Sequence, residues 1–432
     1  MKTENTMQIF LDEFSSVSKS DWIKKIEKDL KGKPLSDIHF NDPIEEIDFV
    51  AYAHKTDLVE PKDSITVKRG LRATNEWEIV SVLPKVSPLE MNKLALHYLM
   101  TGTTNLRIDL DGKSATDWNI ITKGIQFKYI SATVIYYSKE QLEIIKHSLG
   151  ENCTNCSLIP ASNDLPVINS VRNFLVDGTQ VQRCGGNTAQ EIAFVLHEGH
   201  IKLVELLQSG HTLRDSQKQL KFRFGVGNDY IISTVKFRVF RLLWHKIVVL
   251  YGTDFQLPHI EAEIGHLNKS LSDPHTNLLR QTTEAMSAIA GGVQELTILP
   301  HNWRAKNADI SKTQRLATNI SLILKEEAYL DAVVDPAGGS YTLEKLTHLL
   351  AEKSWALLQE LSSSEVAVGL MTTKIAEIKV KRIAAHSNSE RTLIGVNKYF
   401  NPESDKVTEV WDVPDKLLFG EELILERDYP TK

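Results

Sequence analysis

The first periodic stretch of the chain reads as a helix. Trp22, Ile23, Ile26 and Leu30 fall on one face of a 3.6-residue repeat, and lysines fill the other. Ser18 with Asp21 three residues on makes a capping-box pattern at its start, and Gly32 and Pro34 supply the stop. An acidic, irregular stretch over 36–63 follows. Isolated, it could not bury its own apolar side chains, so it reads as an arm packed on the main domain or on a partner. From about Thr74 short β-type runs alternate with longer helical repeats. The strand candidates are 76–83, 105–110, 132–137, 155–160, 173–180, 220–226, 253–257 and 294–299. Helical patterns at 88–100, 140–149, 188–207, 231–251 and 277–290 separate most of them, and two more, 310–329 and 343–361, follow the last strand. Asn187 and Gln190 supply an N-terminal cap for 188–207. In 231–251 the residues Ile231, Val235, Leu242, Leu243, Ile247 and Leu250 form one broad apolar face, and Arg238, Arg241 and Lys246 are expected to cover its wet side.

Alternating strands and helices predict a parallel sheet, and eight such units predict its closure into a barrel. The expected fold is α/β, a (β/α)8 TIM-type barrel. Such a barrel takes about 250 residues, so chain is left over at both ends. The expected layout is a helical and extended arm over 1–70, the barrel over 71–400 and a tail over 401–432. The tail is acidic and punctuated by Pro402, Pro414 and Pro430. Ser362, Ser363 and Ser364 read as a loop, and no internal repeat is visible.

Composition narrows the function classes. At 432 residues, 42% hydrophobic and 25% charged, the chain is neither disordered nor fibrous. Lys+Arg total 50 against Asp+Glu 56, and no basic run occurs, so nucleic acid is not an expected partner. Apolar stretches such as 242–251, broken by His245 and Lys246, fall far short of the roughly 18 residues of a membrane span. The polar N-terminus has no signal-peptide core, so a cytoplasmic location is expected. The three cysteines fit a reducing compartment. Cys153 and Cys156 form a C-x-x-C with no second ligand pair, and read as two free thiols.

No P-loop and no nucleophile elbow occur. Gly225-Val226-Gly227 lacks the third glycine of a dinucleotide site and reads as a tight turn after a strand. His197 and His200 could meet one metal on a helix, but no third ligand is near, and they read as solvent-facing. The most distinctive string is Asp335-Pro336-Ala337-Gly338-Gly339-Ser340-Tyr341, a turn in which Pro fixes φ, paired glycines permit positive φ, and Ser340 can cap the next helix. Gly185-Gly186 and Gly291-Gly292 likewise read as places of close packing.

Several of these strings, in order, resemble the methylmalonyl-CoA mutase family. They are Leu220-Lys221-Phe222-Arg223-Phe224-Gly225-Val226-Gly227-Asn228-Asp229, Lys236-Phe237-Arg238 and Arg241-Leu242-Leu243-Trp244. Further on come Arg280-Gln281-Thr282-Thr283-Glu284-Ala285, Gly291-Gly292-Val293-Gln294, the 335–341 turn and Glu390-Arg391-Thr392-Leu393-Ile394-Gly395-Val396-Asn397. The resemblance covers 20–400. It implies a (β/α)8 barrel threaded by coenzyme A, an arm that embraces a partner subunit, and normally a separate C-terminal cobalamin domain. The implied reaction interconverts methylmalonyl-CoA and succinyl-CoA, with adenosylcobalamin supplying the radical.

The departures are as informative. Active members carry Gly-Tyr-His after strand five. Aligned on Gln190-Glu191-Ile192-Ala193-Phe194, Thr179 and Gln180 stand where Tyr and His belong. A glutamine offers a neutral amide and no transferable proton. The family's His-x-Gln appears as His259-Ile260-Glu261, which adds a negative charge where an anionic substrate would sit. Its His-Thr-Asn becomes Thr297-Ile298-Leu299, and no counterpart of its substrate-carboxylate arginine is found near 163–166. The cobalamin signature D-x-H-x-x-G has one partial match, His147 with Gly150, where Ile145 replaces the Asp. The stretch 401–432 is too short for that domain, so none is expected within this sequence.

The resemblance therefore implies no catalytic, cofactor-binding or metal residue in this chain, with Thr179, Gln180, His259 and Glu261 as degenerate positions. The chain is most like the non-catalytic small subunits of heterodimeric family members. Its expected partner is the large catalytic subunit, which carries the adenosylcobalamin. Two alternatives stand beside this. One is a divergent acyl-CoA mutase barrel active with a separate cobalamin-binding protein. The other is a non-enzymatic barrel that holds an acyl-CoA or a partner.

Overall fold

The computed structural model describes residues 17–50, 53–58, 67, 72–150, 155–306, 308–399, 409–410 and 417–423. The expected arm (1–70) and tail (401–432) thus lie partly outside the described residues, as does Cys153. Cys156 is disulfide-bonded, which corrects its reading as a free thiol.

Helix α1 (Lys19–Asp29) starts at Ser18, whose hydroxyl accepts the Asp21 N–H at 3.2 Å as the sequence pattern requires. A two-stranded hairpin follows, β1 (His39–Asp42) antiparallel to β2 (Ile47–Val50). The main sheet has eight parallel strands. They are β3 (Glu78–Val82), β4 (Asn105–Asp109), β5 (Ser131–Tyr136), β6 (Ser157–Pro160), β7 (Phe174–Asp177), β8 (Leu220–Gly225), β9 (His259–Ile264) and β10 (Glu295–Ile298). Their order β6-β5-β4-β3-β10-β9-β8-β7 wraps round into a nearly closed (β/α)8 barrel. The seam lies between β6 and β7. It is bridged at one level by Arg172, whose carbonyl accepts the Leu158 N–H at 2.8 Å.

Two strand expectations are corrected. Residues 253–257 are coil, and the strand is β9, a few residues on. The candidate 173–180 ends at Asp177, so Thr179 and Gln180 fall in a short helix, Thr179–Arg183. Helices Ala115–Ile121, Leu213–Lys218 and Ala367–Ser387 were not anticipated. Ser362 and Ser363 end a helix rather than forming a loop.

The long helices Thr188–Gln208, Tyr230–Val248 and Tyr341–Ser363 pack on one another outside β7 and β8. Tyr230–Val248 is buried almost all round, so Arg238 and Arg241 have no wet side to cover. Arg238 instead pairs with Asp335 at 3.0 Å and Glu344 at 2.6 Å, and Arg241 donates to the Gly291 carbonyl at 2.6 Å. Only Lys246 is exposed, its ammonium 3.9 Å above the Trp355 ring. These contacts join the family-like strings to one another: Arg238 holds the 335–341 turn, and Arg241 holds the Gly291-Gly292 turn. Phe237 packs so closely on Gly291 that a Cβ there would collide with its ring. Ser340 takes the N-cap position of Tyr341–Ser363 but makes no side-chain cap bond. No helix among the described residues is long and apolar enough to cross a membrane.

Candidate functional site

In the barrel strands side chains alternate between the outer helices and the axis. The outward set is apolar: Leu106, Ile108, Ala132, Val134, Phe222, Phe224, Ile260, Ala262, Leu296 and Ile298 are all buried against helices. The inward set is polar and charged. TIM-type interiors are ordinarily filled by branched apolar residues, so this interior is unusual.

Its centre is a network of six charged side chains. Lys221, fully buried, lies 2.5 Å from Glu295 and 2.9 Å from Glu261, and donates to the Thr133 hydroxyl at 3.0 Å. Arg107 pairs with Glu261 and, at 2.5 Å, with Glu263. It also donates to Thr297 Oγ1 at 2.9 Å, and that hydroxyl donates to Glu261 at 2.7 Å. Arg223 Nε completes the group 3.2 Å from Glu261. Three cations thus balance three carboxylates. Below them Glu78 accepts from Asn105 at 2.7 Å and from Ser131 at 2.5 Å.

The protonation pattern follows from these neighbours. Burial alone would raise Glu263 and Glu295. Arg107 and His266 around the first, and Lys221 and His259 around the second, outweigh it and hold both well below the ordinary range. Burial pulls Lys221 down, against the pull of Glu295 at 2.5 Å. Burial, then the like charge of Arg172, lowers His259 to about 4, although it lies 2.6 Å from Glu295. Near pH 7 His259 is therefore neutral and bound to a carboxylate, not a free acid.

The other expected positions can now be placed. Glu261 does not present an uncompensated negative charge, because Arg107, Lys221 and Arg223 neutralise it. Thr179 is buried, and its hydroxyl donates to Asp177 at 2.5 Å. Gln180 is half-buried and lines a cleft at the seam with Asp177, Phe194 and Leu418; its Oε1 accepts the Leu418 N–H at 3.4 Å. Gln180 thus meets the tail, while His259 and Glu261 belong to the axis; the structure does not gather the four into one constellation. His197 and His200 are half-buried rather than solvent-facing, with His200 Nε2 2.6 Å from the Tyr251 hydroxyl. Among the described residues no group of three or more His, Cys, Asp or Glu is placed to hold a metal.

The C-terminal mouth of the barrel, where TIM-type active sites lie, is covered by the chain itself. The β1–β2 hairpin puts the Glu45 carboxylate 2.9 Å from the Thr188 N–H, at the start of helix Thr188–Gln208. Lys353 donates to the Glu45 carbonyl at 3.0 Å, and Arg391 pairs with Asp42. Residues 417–423 cross the mouth with Leu417, Phe419 and Leu423 buried. Glu422 reaches into it and meets Arg183 at 3.1 Å, Arg304 at 3.1 Å and His266 at 3.3 Å. His266 contacts Glu263 at 2.9 Å, so polar contacts run without a break from the tail to the barrel axis.

A cobalamin would need a histidine free to ligate it. His147 is exposed on helix Lys139–Leu149, while Ile145, at the position of the signature's acid, is buried in the core behind that helix. These residues do not fit the cofactor. The barrel interior, for its part, offers compensated ion pairs, amides and the Glu78 carboxyl, which burial and the charge of Glu295 raise.

A family model for methylmalonyl-CoA mutase matches residues 158–421. This chain belongs to that family. It is similar to the methylmalonyl-CoA mutase small subunit of Porphyromonas gingivalis, at 27% identity over 92% of this chain and 72% of that one. The methylmalonyl-CoA mutase of Cereibacter sphaeroides is 34% identical over 58% of this chain, and that of Escherichia coli 28% over 63%. This family chain spans only 36% and 38% of the length of those two relatives. A solved dihydropteroate synthase from Xanthomonas albilineans aligns over 57% of this chain at 12% identity with a TM-score of 0.29, too slight a likeness to use.

Proposed function

We propose that this barrel is the non-catalytic small subunit of a heterodimeric methylmalonyl-CoA mutase. In this reading it supports a larger chain that binds adenosylcobalamin and interconverts methylmalonyl-CoA and succinyl-CoA in the cytoplasm. One observation carries the reading: the axis that would admit coenzyme A is filled by Arg107, Lys221, Arg223, Glu261, Glu263 and Glu295. An entering pantetheine chain would have to break these contacts, and stripping a buried charge of its partner costs about 3–5 kcal/mol. Gln180 in the place of the family's histidine agrees with this, as does the covering of the mouth by 417–423. The similarity to a small subunit favours a partnered role over an acyl-CoA-binding barrel acting alone. The arm over 1–70 is the part assigned to embrace the partner and the barrel over 71–400 its rigid support, while within the tail over 401–432 residues 417–423 cover the mouth.

The test is to mix the purified chain with a cobalamin-binding large subunit at micromolar concentration and run size-exclusion chromatography. Co-elution, with turnover confined to fractions containing the large subunit, is expected. Two separate peaks would sink the proposal. Turnover with a stand-alone cobalamin protein and no large subunit would favour an active barrel instead.

A further inference from the structure

The contacts of Glu422 are those of a bound anion as much as of a tail residue. Its partners come from three separate segments at the C-terminal mouth: Arg183 at the end of the short helix after β7, His266 after β9 and Arg304 after β10. Arg183 approaches with both Nε, at 3.1 Å, and Nη2, at 3.4 Å, the two-pronged geometry with which guanidinium groups recognise carboxylates.

His266 and Arg304 are held by groups other than Glu422. Glu263 lies 2.9 Å from His266 Nε2, and the Trp303 ring packs edge-on at 5.2 Å from the imidazole. The Arg304 guanidinium lies 5.0 Å from the same ring, which is itself pinned by a 2.6 Å bond from Trp303 Nε1 to the Gly265 carbonyl. Apolar Leu267, Leu393 and Leu423 cluster in the same mouth. All four charged or titratable side chains are at least 87% buried, since their exposures are 13%, 7%, 8% and 3% for Arg183, His266, Arg304 and Glu422. The segment carrying Glu422 is joined to one of these donors through its backbone as well, Leu423 N–H donating to the Arg183 carbonyl at 2.7 Å. His266 and Arg304 are thus positioned by contacts that do not involve Glu422.

We propose that Arg183, His266 and Arg304 form a carboxylate-binding site at the C-terminal mouth of the barrel, filled by the chain's own Glu422 and able to take a small free monocarboxylate when that side chain is withdrawn. The site borders the axial network through the His266–Glu263 contact, and it does not depend on the subunit assignment.

Chemical rescue tests it in the full chain. Glu422→Ala leaves two guanidinium groups and an imidazole facing a void. The expected result is a lowered melting midpoint that acetate restores saturably, while chloride at matched ionic strength does not. The parent chain should respond several-fold less. Adding Arg304→Met to Glu422→Ala should abolish the rescue. Equal effects of acetate and chloride, or undiminished rescue in the double variant, would overturn the proposal. If Glu422→Ala cannot be purified, the comparison moves to Glu422→Gln. There acetate displaces the weaker amide, and chymotryptic cleavage at Phe419 is expected to run faster in acetate than in chloride; equal rates would count against the site.

Discussion

Replacing Arg107 by methionine keeps most of the side chain's length and removes its charge. Arg107 is 8% exposed and contacts Glu261, Glu263 and Thr297. Without it, two cations face three buried carboxylates. Removing one partner of such a buried group costs about 3–5 kcal/mol, because the carboxylates left behind are neither hydrated nor fully paired. Unfolding entropy of about 2.1 cal/mol/K per residue, over a chain of 432 residues, gives about 0.9 kcal/mol/K. The melting midpoint should therefore fall by roughly 3–6 °C. A second change, Glu261→Gln, brings back the residue type expected of the family and restores the charge balance. Its amide oxygen can still accept the bond from the Thr297 hydroxyl that Glu261 accepts at 2.7 Å. The double variant should recover more than half of the loss, a coupling of about 2 kcal/mol in a double-mutant cycle. The assay is calorimetry or reversible urea unfolding of parent, both single variants and the double. A loss below about 1 kcal/mol for Arg107→Met, the level of an exposed pair, would refute the reasoning. So would strict additivity in the cycle.

Other outcomes follow from the same geometry. Restoring family residues by Thr179→Tyr with Gln180→His should produce no methylmalonyl-CoA turnover in the isolated chain, since the axis stays filled; any cobalamin-dependent turnover above the parent would contradict this. Burial pushes the Glu422 carboxyl up, but His266, Arg304 and Arg183 together bring it down to about 2. A carboxyl lowered in the folded state contributes stability above its unfolded value near 4.5 and loses it as pH falls towards 2, here about 3 kcal/mol. The difference between parent and Glu422→Gln should therefore shrink over that window, and a difference flat from pH 6 to pH 2.5 would show the interaction to be absent. Gly291→Ala forces a methyl group against Phe237 and should cost about 1–3 kcal/mol by overpacking, read as a lowered midpoint; an unchanged midpoint would mean that the turn relaxes freely.

Much of the architecture could be read from residue patterns, and the exceptions share a cause. Strands β3, β4, β5, β6, β8 and β10 fell within a few residues of their apolar runs. The β9 strand did not: the expected run at 253–257 stops short of His259-Ile260-Glu261-Ala262-Glu263-Ile264, which alternates polar with apolar. In a closed barrel with a charged axis this alternation is the required pattern, and Leu220-Lys221-Phe222-Arg223-Phe224-Gly225 repeats it. The assumption that charge means solvent misplaced Arg238 and Arg241. Their partners Asp335, Glu344 and Gly291 lie 50 or more residues away, beyond the reach of local periodicity. Of the candidate site, Gln180 and Glu261 were identified by resemblance, but the neutralisation of Glu261 depends on three strands meeting across the barrel. Glu422 carried no local signal at all. Its role arises only where the tail crosses the segments that follow β7, β9 and β10.

The central claim is that this barrel accompanies catalysis without binding substrate. Its most direct measurement is calorimetric titration of the purified pair of chains, small and large, with a non-reactive methylmalonyl-CoA analogue. A stoichiometry of one analogue per pair, unchanged by Arg107→Met in this chain, is the expected result. Two analogues per pair, or micromolar binding by this chain alone, would contradict it.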